Sequence, residues 1–233
     1  MRSSLLGIVT AGVLAGCATT SAPPTIQSGP DAEVTVDGLH RVDNSIMAIG
    51  YMKPDHDLSG YTAIMLDPVT VAYDKDPRGR RRATDIGAGT SNFALSPSQM
   101  ENLKSWFQEA VIEAFTENDG YRIVDTPGPD VLRVSADLID LIVRIPTEGV
   151  GRQRTFVASY GEVTLVVEAR DSESGEILAR AADRRDPTRS SRDLVEVSST
   201  FVRGDTQRLF RYWAGIMRER LDVLRGVERD PGP

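Results

Sequence analysis

The chain has 233 residues, 27 Lys and Arg against 34 Asp and Glu, a net charge of −7 and a single Cys. At 40% apolar and 26% charged, it is neither a collagen-like repeat, a disulfide scaffold nor a polytopic membrane protein. Its length suits one domain with a tail, large enough to fold without disulfides.

The N-terminus carries the most specific signal. Arg2 gives a short positive region, and residues 5–14 form an uncharged apolar stretch, shorter than the roughly 20 residues of a spanning helix. The stretch ends in Leu14-Ala15-Gly16-Cys17, the pattern of a bacterial lipobox. Small residues there suit the lipoprotein signal peptidase, and the thiol after the cut receives diacylglycerol and then an N-acyl chain. Residues 1–16 are therefore expected to be a lipoprotein signal peptide, with Cys17 as the lipidation site. Each buried CH₂ of the anchor contributes about 0.8 kcal/mol. With its only thiol capped, the mature chain needs no oxidant to fold. The residue after Cys17 is Ala18 rather than the Asp of the inner-membrane retention rule, so the expected location is the outer membrane, facing the periplasm.

Residues 17–57 hold Pro23, Pro24, Gly29, Pro30 and Gly38 with no sustained apolar period, and they are expected to form a flexible tether. The folded domain is then expected at 58–226, with a disordered tail over 227–233. Tyr61 to Val71 reads as a strand interrupted at Pro68, a residue confined to edges and bulges. Ser96-Pro97-Ser98-Gln99 has the form of a capping box. A helix follows on Leu103, Trp106, Phe107, Ala110, Val111 and Phe115, with Gly120 closing it. Tyr121 to Val124 reads as a short strand, and Thr126-Pro127-Gly128-Pro129 turns into a long one from Val131 to Ile145. There Leu132, Val134, Ala136 and Leu138 alternate with polar residues. Tyr160 to Arg170 alternates again, and the turn at 171–175 returns the chain along Glu176 to Arg184. A last amphipathic helix runs over about 205–225, with Gly226 at its C′ position. The pattern predicts an α+β two-layer sandwich: a largely antiparallel sheet with two amphipathic helices on one face. Trp106, Phe107, Phe115, Phe210 and Trp213 read as core at helical spacing, and Tyr61, Tyr121 and Tyr160 as sheet residues with a polar tip.

Several of these segments together resemble a bacterial lipoprotein family known as domain of unknown function thirty-three-thirteen. They are Asp57-Leu58-Ser59-Gly60-Tyr61 leading into Ile64 to Val69, Val124 to Leu132, and Asp171 to Ala179 with Asp183-Arg184-Arg185, then Trp213 and Leu221. The resemblance spans about 57–225 and implies an envelope lipoprotein with no established activity. Its motifs are turns and strand ends, so it assigns no catalytic residue.

The residues themselves point away from catalysis. His40 and His56 fall in the expected tether, leaving the domain without the commonest general base and metal ligand, and no nucleophile or phosphate-loop motif occurs. The chemical alternative is a carboxylate-dependent cell-wall glycan hydrolase drawing on Asp67, Asp137, Asp140, Glu162 and Glu168. No cofactor or metal is expected beyond the lipid on Cys17. For binding, Arg78, Arg80, Arg81 and Arg82 cluster in a long connection that is either a solvated loop or an anion- or partner-binding element. Arg144, Arg152, Arg154, Arg184, Arg185, Arg189 and Arg192 would gather at one pole if the three long strands form a meander, either as a patch or as structural ion pairs. An exported acidic chain does not fit nucleic acid. The expected function is a binding or assembly module for an envelope protein or an anionic envelope component.

Overall fold

The computed structural model describes residues 22–75, 93–118, 120–145, 156–157, 159–188, 195–196 and 198–226. Its elements in chain order are β1 (Thr25–Ile26), β2 (His40–Asp43), β3 (Ile49–Met52), β4 (Ala63–Leu66), β5 (Thr70–Tyr73), α1 (Pro97–Thr116), β6 (Arg122–Ile123), β7 (Val131–Val143), β8 (Phe156–Val157), β9 (Gly161–Asp171), β10 (Ile177–Arg185), β11 (Val195–Glu196) and α2 (Ser199–Leu224). Among the described residues, nine strands join one sheet in the order β1-β2-β3-β10-β9-β7-β4-β6, with β5 also pairing β7. The sheet is antiparallel except where β4 and β5 run parallel to β7, and β6 parallel to β4. With both helices packed on the sheet, the architecture is the α+β two-layer sandwich that the alternation predicts.

The meander of β7, β9 and β10 is its frame, and the expected alternation holds along most of β7. Leu132, Val134, Ala136 and Leu138 are buried beneath the helices. At Asp140 the phase changes. This residue has φ 52°, and the pairing with β9 shifts register between Ile139 and Ile142, which is a β-bulge. Beyond it Leu141, Val143 and Ile145 join the core. Across the bulge, Gly161 opens β9 so close to β7 that a Cβ there would overlap the Ile142 carbonyl.

Pro68 separates β4 from β5, as a residue without an N–H should. Both pieces stay on the same side of β7: Leu66 pairs with Val134, and Thr70 with Asp137. The capping box at α1 is formed. Ser96 Oγ accepts from Gln99 N at 3.3 Å, and Gln99 Oε1 accepts from Ser96 N at 2.8 Å. Helix α2 begins at Ser199, earlier than expected, because Ser198 Oγ caps Phe201 N at 3.2 Å. Phe107 of α1 meets Phe210 of α2 edge-on at 5.3 Å, and Trp213 is fully buried. Each such side chain contributes about 1.5–3 kcal/mol by leaving water.

The expected boundary at Leu58 is corrected by the structure. Residues 25–52 supply β1, β2 and β3, and β3 pairs with β10 from Met52↔Ala179 to Ile49↔Ala182. Leu39, Met47 and Met52 are buried. The segment thus belongs to the folded domain from Thr25 onward. His40 and His56 move with it: His40 lies in β2 with Nδ1 2.7 Å from Gln27 O, and the His56 ring stacks at 6.3 Å on Tyr61.

Candidate functional site

Of the residues singled out from sequence, Leu14, Ala15, Gly16, Cys17, Arg78, Arg80, Arg81 and Arg82 lie outside the described residues, as do Arg152, Arg154, Arg189 and Arg192. The short ribbon of β8 and β11 does bring the connections after β7 and β10 together at one end. At that pole the three described arginines have partners. Arg144 donates to Glu162 at 2.6 Å and to Ser159 at 2.9 Å, and Arg184 donates to the other Glu162 oxygen at 2.8 Å. Arg185 holds Asp183 at 2.6 Å and lies over the Tyr212 ring at 4.7 Å. These are structural ion pairs.

The carboxylates weighed for hydrolysis are similarly engaged. Asp67 takes both of its contacts from Arg133 Nε at 2.9 and 3.0 Å, Asp137 accepts from the Thr70 hydroxyl, Asp140 stands 3.5 Å from Arg184, and Glu168 binds Arg170 and Arg180. Burial pushes the Glu162 carboxyl up, but hydrogen bonds and charge from Arg144 and Arg184 outweigh it and hold the group below its usual range. A glycosidase general acid needs the opposite shift. Among the described residues no group of three or more His, Cys, Asp or Glu is placed to hold a metal ion, and no helix is long and apolar enough to cross a membrane.

A cleft of about 690 Å³ lies where the first turns of both helices meet the ends of β7 and β9, within the size range of ligand sites. Leu103 and Trp106 come from α1, Ile145 and Tyr160 from the strand ends, and Val202 and Arg203 from α2. Trp106 is half-buried rather than core, and the Arg203 guanidinium lies 5.4 Å over its ring. An apolar wall with an indole face and an exposed cation at its edge suits binding of an amphipathic group. Sequence reasoning missed this site because five separated segments build it. The one available signal was Trp106 beside Phe107: adjacent positions on a helix differ by 100°, so both cannot point into one core.

The segments that carry the resemblance turn out to be fasteners. Trp213 Nε1 donates to Asp183 at 2.8 Å, and the same carboxylate accepts from Ala48 N at 3.3 Å, tying α2, β10 and the β2–β3 connection together. Tyr61 donates to Asp171 at 2.9 Å, and Asp171 in turn accepts from Ser174 N at 2.7 Å within the hairpin. Burial, then the hydrogen bond and charge of Asp171, push the Tyr61 hydroxyl up to about 12. Asp57 turns the chain by accepting from Ser59 N at 2.8 Å.

A comparison with curated proteins finds no match. Among solved structures, the chain is similar to the PelC dodecamer from Paraburkholderia phytofirmans at 12% identity and TM-score 0.35, covering 72% of this chain and 96% of that one. It is also similar to protein XCC0632 from Xanthomonas campestris at 9% identity and TM-score 0.36, covering 70% and 88%. A third similarity is to a neuraminyllactose-binding hemagglutinin homolog from Helicobacter pylori, at 10% identity and TM-score 0.34 over 74% and 91%. A family model described as "Protein of unknown function (DUF3313)" matches residues 36–217, which include β2 and β3 as well as the later strands and helices, and the chain belongs to that family.

Proposed function

We propose that this chain is a lipid-anchored envelope protein that works as a binding or assembly module. Cys17 carries the diacylglycerol and N-acyl anchor, and Ala18 directs the protein to the outer membrane, where the domain faces the periplasm. The partner is an envelope protein or an anionic envelope component, held in the cleft between the helix N-terminal ends. The observation that carries this reading is the open wall formed by Trp106 with Arg203 over it. Arg78, Arg80, Arg81 and Arg82 add a second basic element for the same kind of partner.

The test is crosslinking in cells of the lipidated protein, followed by mass spectrometry of what it holds, beside Cys17→Ser, Trp106→Ala and Arg203→Ser variants. The expected result is a reproducible envelope partner whose recovery falls at least fivefold in the two cleft variants, while Cys17→Ser releases the protein from the membrane fraction. Undiminished recovery with both cleft variants removes the cleft from the account, and membrane retention of Cys17→Ser removes the anchor.

A further inference from the structure

A second hollow lies along the other part of α2. It is a groove of about 350 Å³ between the C-terminal half of α2 and the sheet where β3, β9 and β10 continue past the helices. Val167, Ala169, Ala179 and Ala181 border it on the sheet side. They are half-buried, whereas Leu132 and Val134 on β7 are buried. Small side chains at 169, 179 and 181 leave the space open. Around the mouth Ile46, Val223 and Leu224 are 40%, 58% and 42% exposed. Single exposed apolar residues are ordinary, but a group of them bordering an apolar groove marks an interaction site.

Charge at the groove is distinctive. Arg180 borders it but is occupied by Glu168 and Asp37. Arg220 also borders it, and its buried Nε meets no acceptor among the described residues. Its recorded carboxylate neighbour, Glu219, is 4.0 Å from another nitrogen of the group. An extended peptide laid in such walls would leave its N–H and C=O groups without partners. An acyl chain has no such groups, and an anionic head would meet Arg220. Pro23 and Pro24 flank the groove, and six residue steps from Cys17 to Pro23 span at most ~21 Å. On the anchored reading above, on which the source of the ligand rests, the mouth is therefore held close to a bilayer.

We propose that this groove takes one acyl chain of an anionic membrane phospholipid, with its phosphate against Arg220. The protein would then draw a lipid partly out of the membrane that carries it, an activity separate from the cleft at the opposite ends of the helices.

The test uses the full chain as Cys17→Ser, which has no covalent lipid, mixed with phosphatidylglycerol vesicles carrying a fluorescent acyl chain, and native mass spectrometry of the recovered protein. One phospholipid per chain is expected. Ala181→Phe, which fills the groove, is expected to lower uptake at least tenfold with an unchanged melting temperature. Should that variant not fold, Ala179→Val serves in its place. Arg220→Glu is expected to lower uptake severalfold from phosphatidylglycerol vesicles and by a smaller factor from phosphatidylcholine vesicles, whose headgroup carries the same phosphate with a compensating choline cation. An equal uptake from phosphatidylglycerol by this variant and the parent would remove Arg220 and the anionic head from the proposal. No transfer to the Cys17→Ser protein, equal uptake by the filled variants, or a groove covered instead by a second copy or by residues 227–233 in crosslinking would each overturn the proposal. Failure of the anchored reading is separable: it appears as wild-type protein without acyl label on Cys17, whatever the groove does.

Discussion

Gly120 illustrates how one residue without a side chain lets a buried charge be satisfied. Its expected role was to end α1 by backbone freedom, yet the left-handed residue after that helix is Asn118, at φ 53°. What Gly120 supplies is room: a Cβ would overlap the Arg218 guanidinium and the Phe115 carbonyl. Arg218 uses that room to donate to Phe115 O at 2.5 Å, a carbonyl near the helix end that also accepts from Tyr121 N at 2.7 Å, while its Nε holds both oxygens of Asp222 at 2.8 Å. Tyr121 donates to Asp222 at 3.0 Å, with Arg218 and Arg225 over its ring at 4.6 and 4.8 Å. Breaking a buried ion pair by removing one partner costs about 3–5 kcal/mol. Arg218→Met is expected to lose that much in urea unfolding, and Gly120→Ala, which displaces the same group, at least half of it. A second residue-scale expectation concerns acid. Glu162 is held below its usual value as described, and Asp171 is held down first by the Ser174 backbone N–H and hydroxyl. Their ordinary values are 4.5 and 3.8, so the unfolded chain takes up protons first as pH falls. The stability they contribute is therefore complete above about pH 5 and is lost as the pH drops through their depressed values. Urea midpoints between pH 7 and pH 2.5 should fall in that window, and Glu162→Gln should show a lower midpoint at pH 7 with a shallower acid loss.

At the scale of elements, legibility follows how local the determining interactions are. The capping box at Ser96 is made by residues three apart, and its sequence suffices to place the start of α1. The alternation of β7, β9 and β10 is equally direct, because one face of each strand packs beneath helices. The bulge at Asp140 is hidden. Leu138, Ile139, Leu141, Ile142 and Val143 are all apolar, so no alternation survives to mark the change of phase. Strands β1, β2 and β3 are hidden for another reason: each has four residues or fewer, amid Pro, Gly and Ser, and their order comes from β10, far along the chain. This assigns them a measurable weight. Burying each of Leu39, Met47 and Met52 contributes about 1.5–3 kcal/mol, so a chain lacking residues 18–57 is expected to lose several kcal/mol and its cooperative urea transition. A truncated chain that unfolds like the full one would return the segment to a tether.

For the whole molecule, the sheet has one face committed to helices and the other to ion pairs such as Arg133–Asp67 and Arg180–Glu168. Among the described residues, each end of the helix layer carries a hollow with apolar walls. One end is the cleft of Trp106 and Arg203, the other the apolar groove beside Val223 and Leu224. The sequence announces neither, since each is assembled from segments that individually read as ordinary core. Surface exposed in this way is the physical basis for the proposal that the protein is a binding module. The most direct measurement places a photo-crosslinking residue at position 106 in one strain and at Ser135, on the ion-paired face of the sheet, in another, and compares adducts formed in intact cells. The account predicts a discrete adduct from position 106 and none from position 135. Adducts from position 135 alone, or none from position 106 while the protein is folded and membrane-bound, would contradict it.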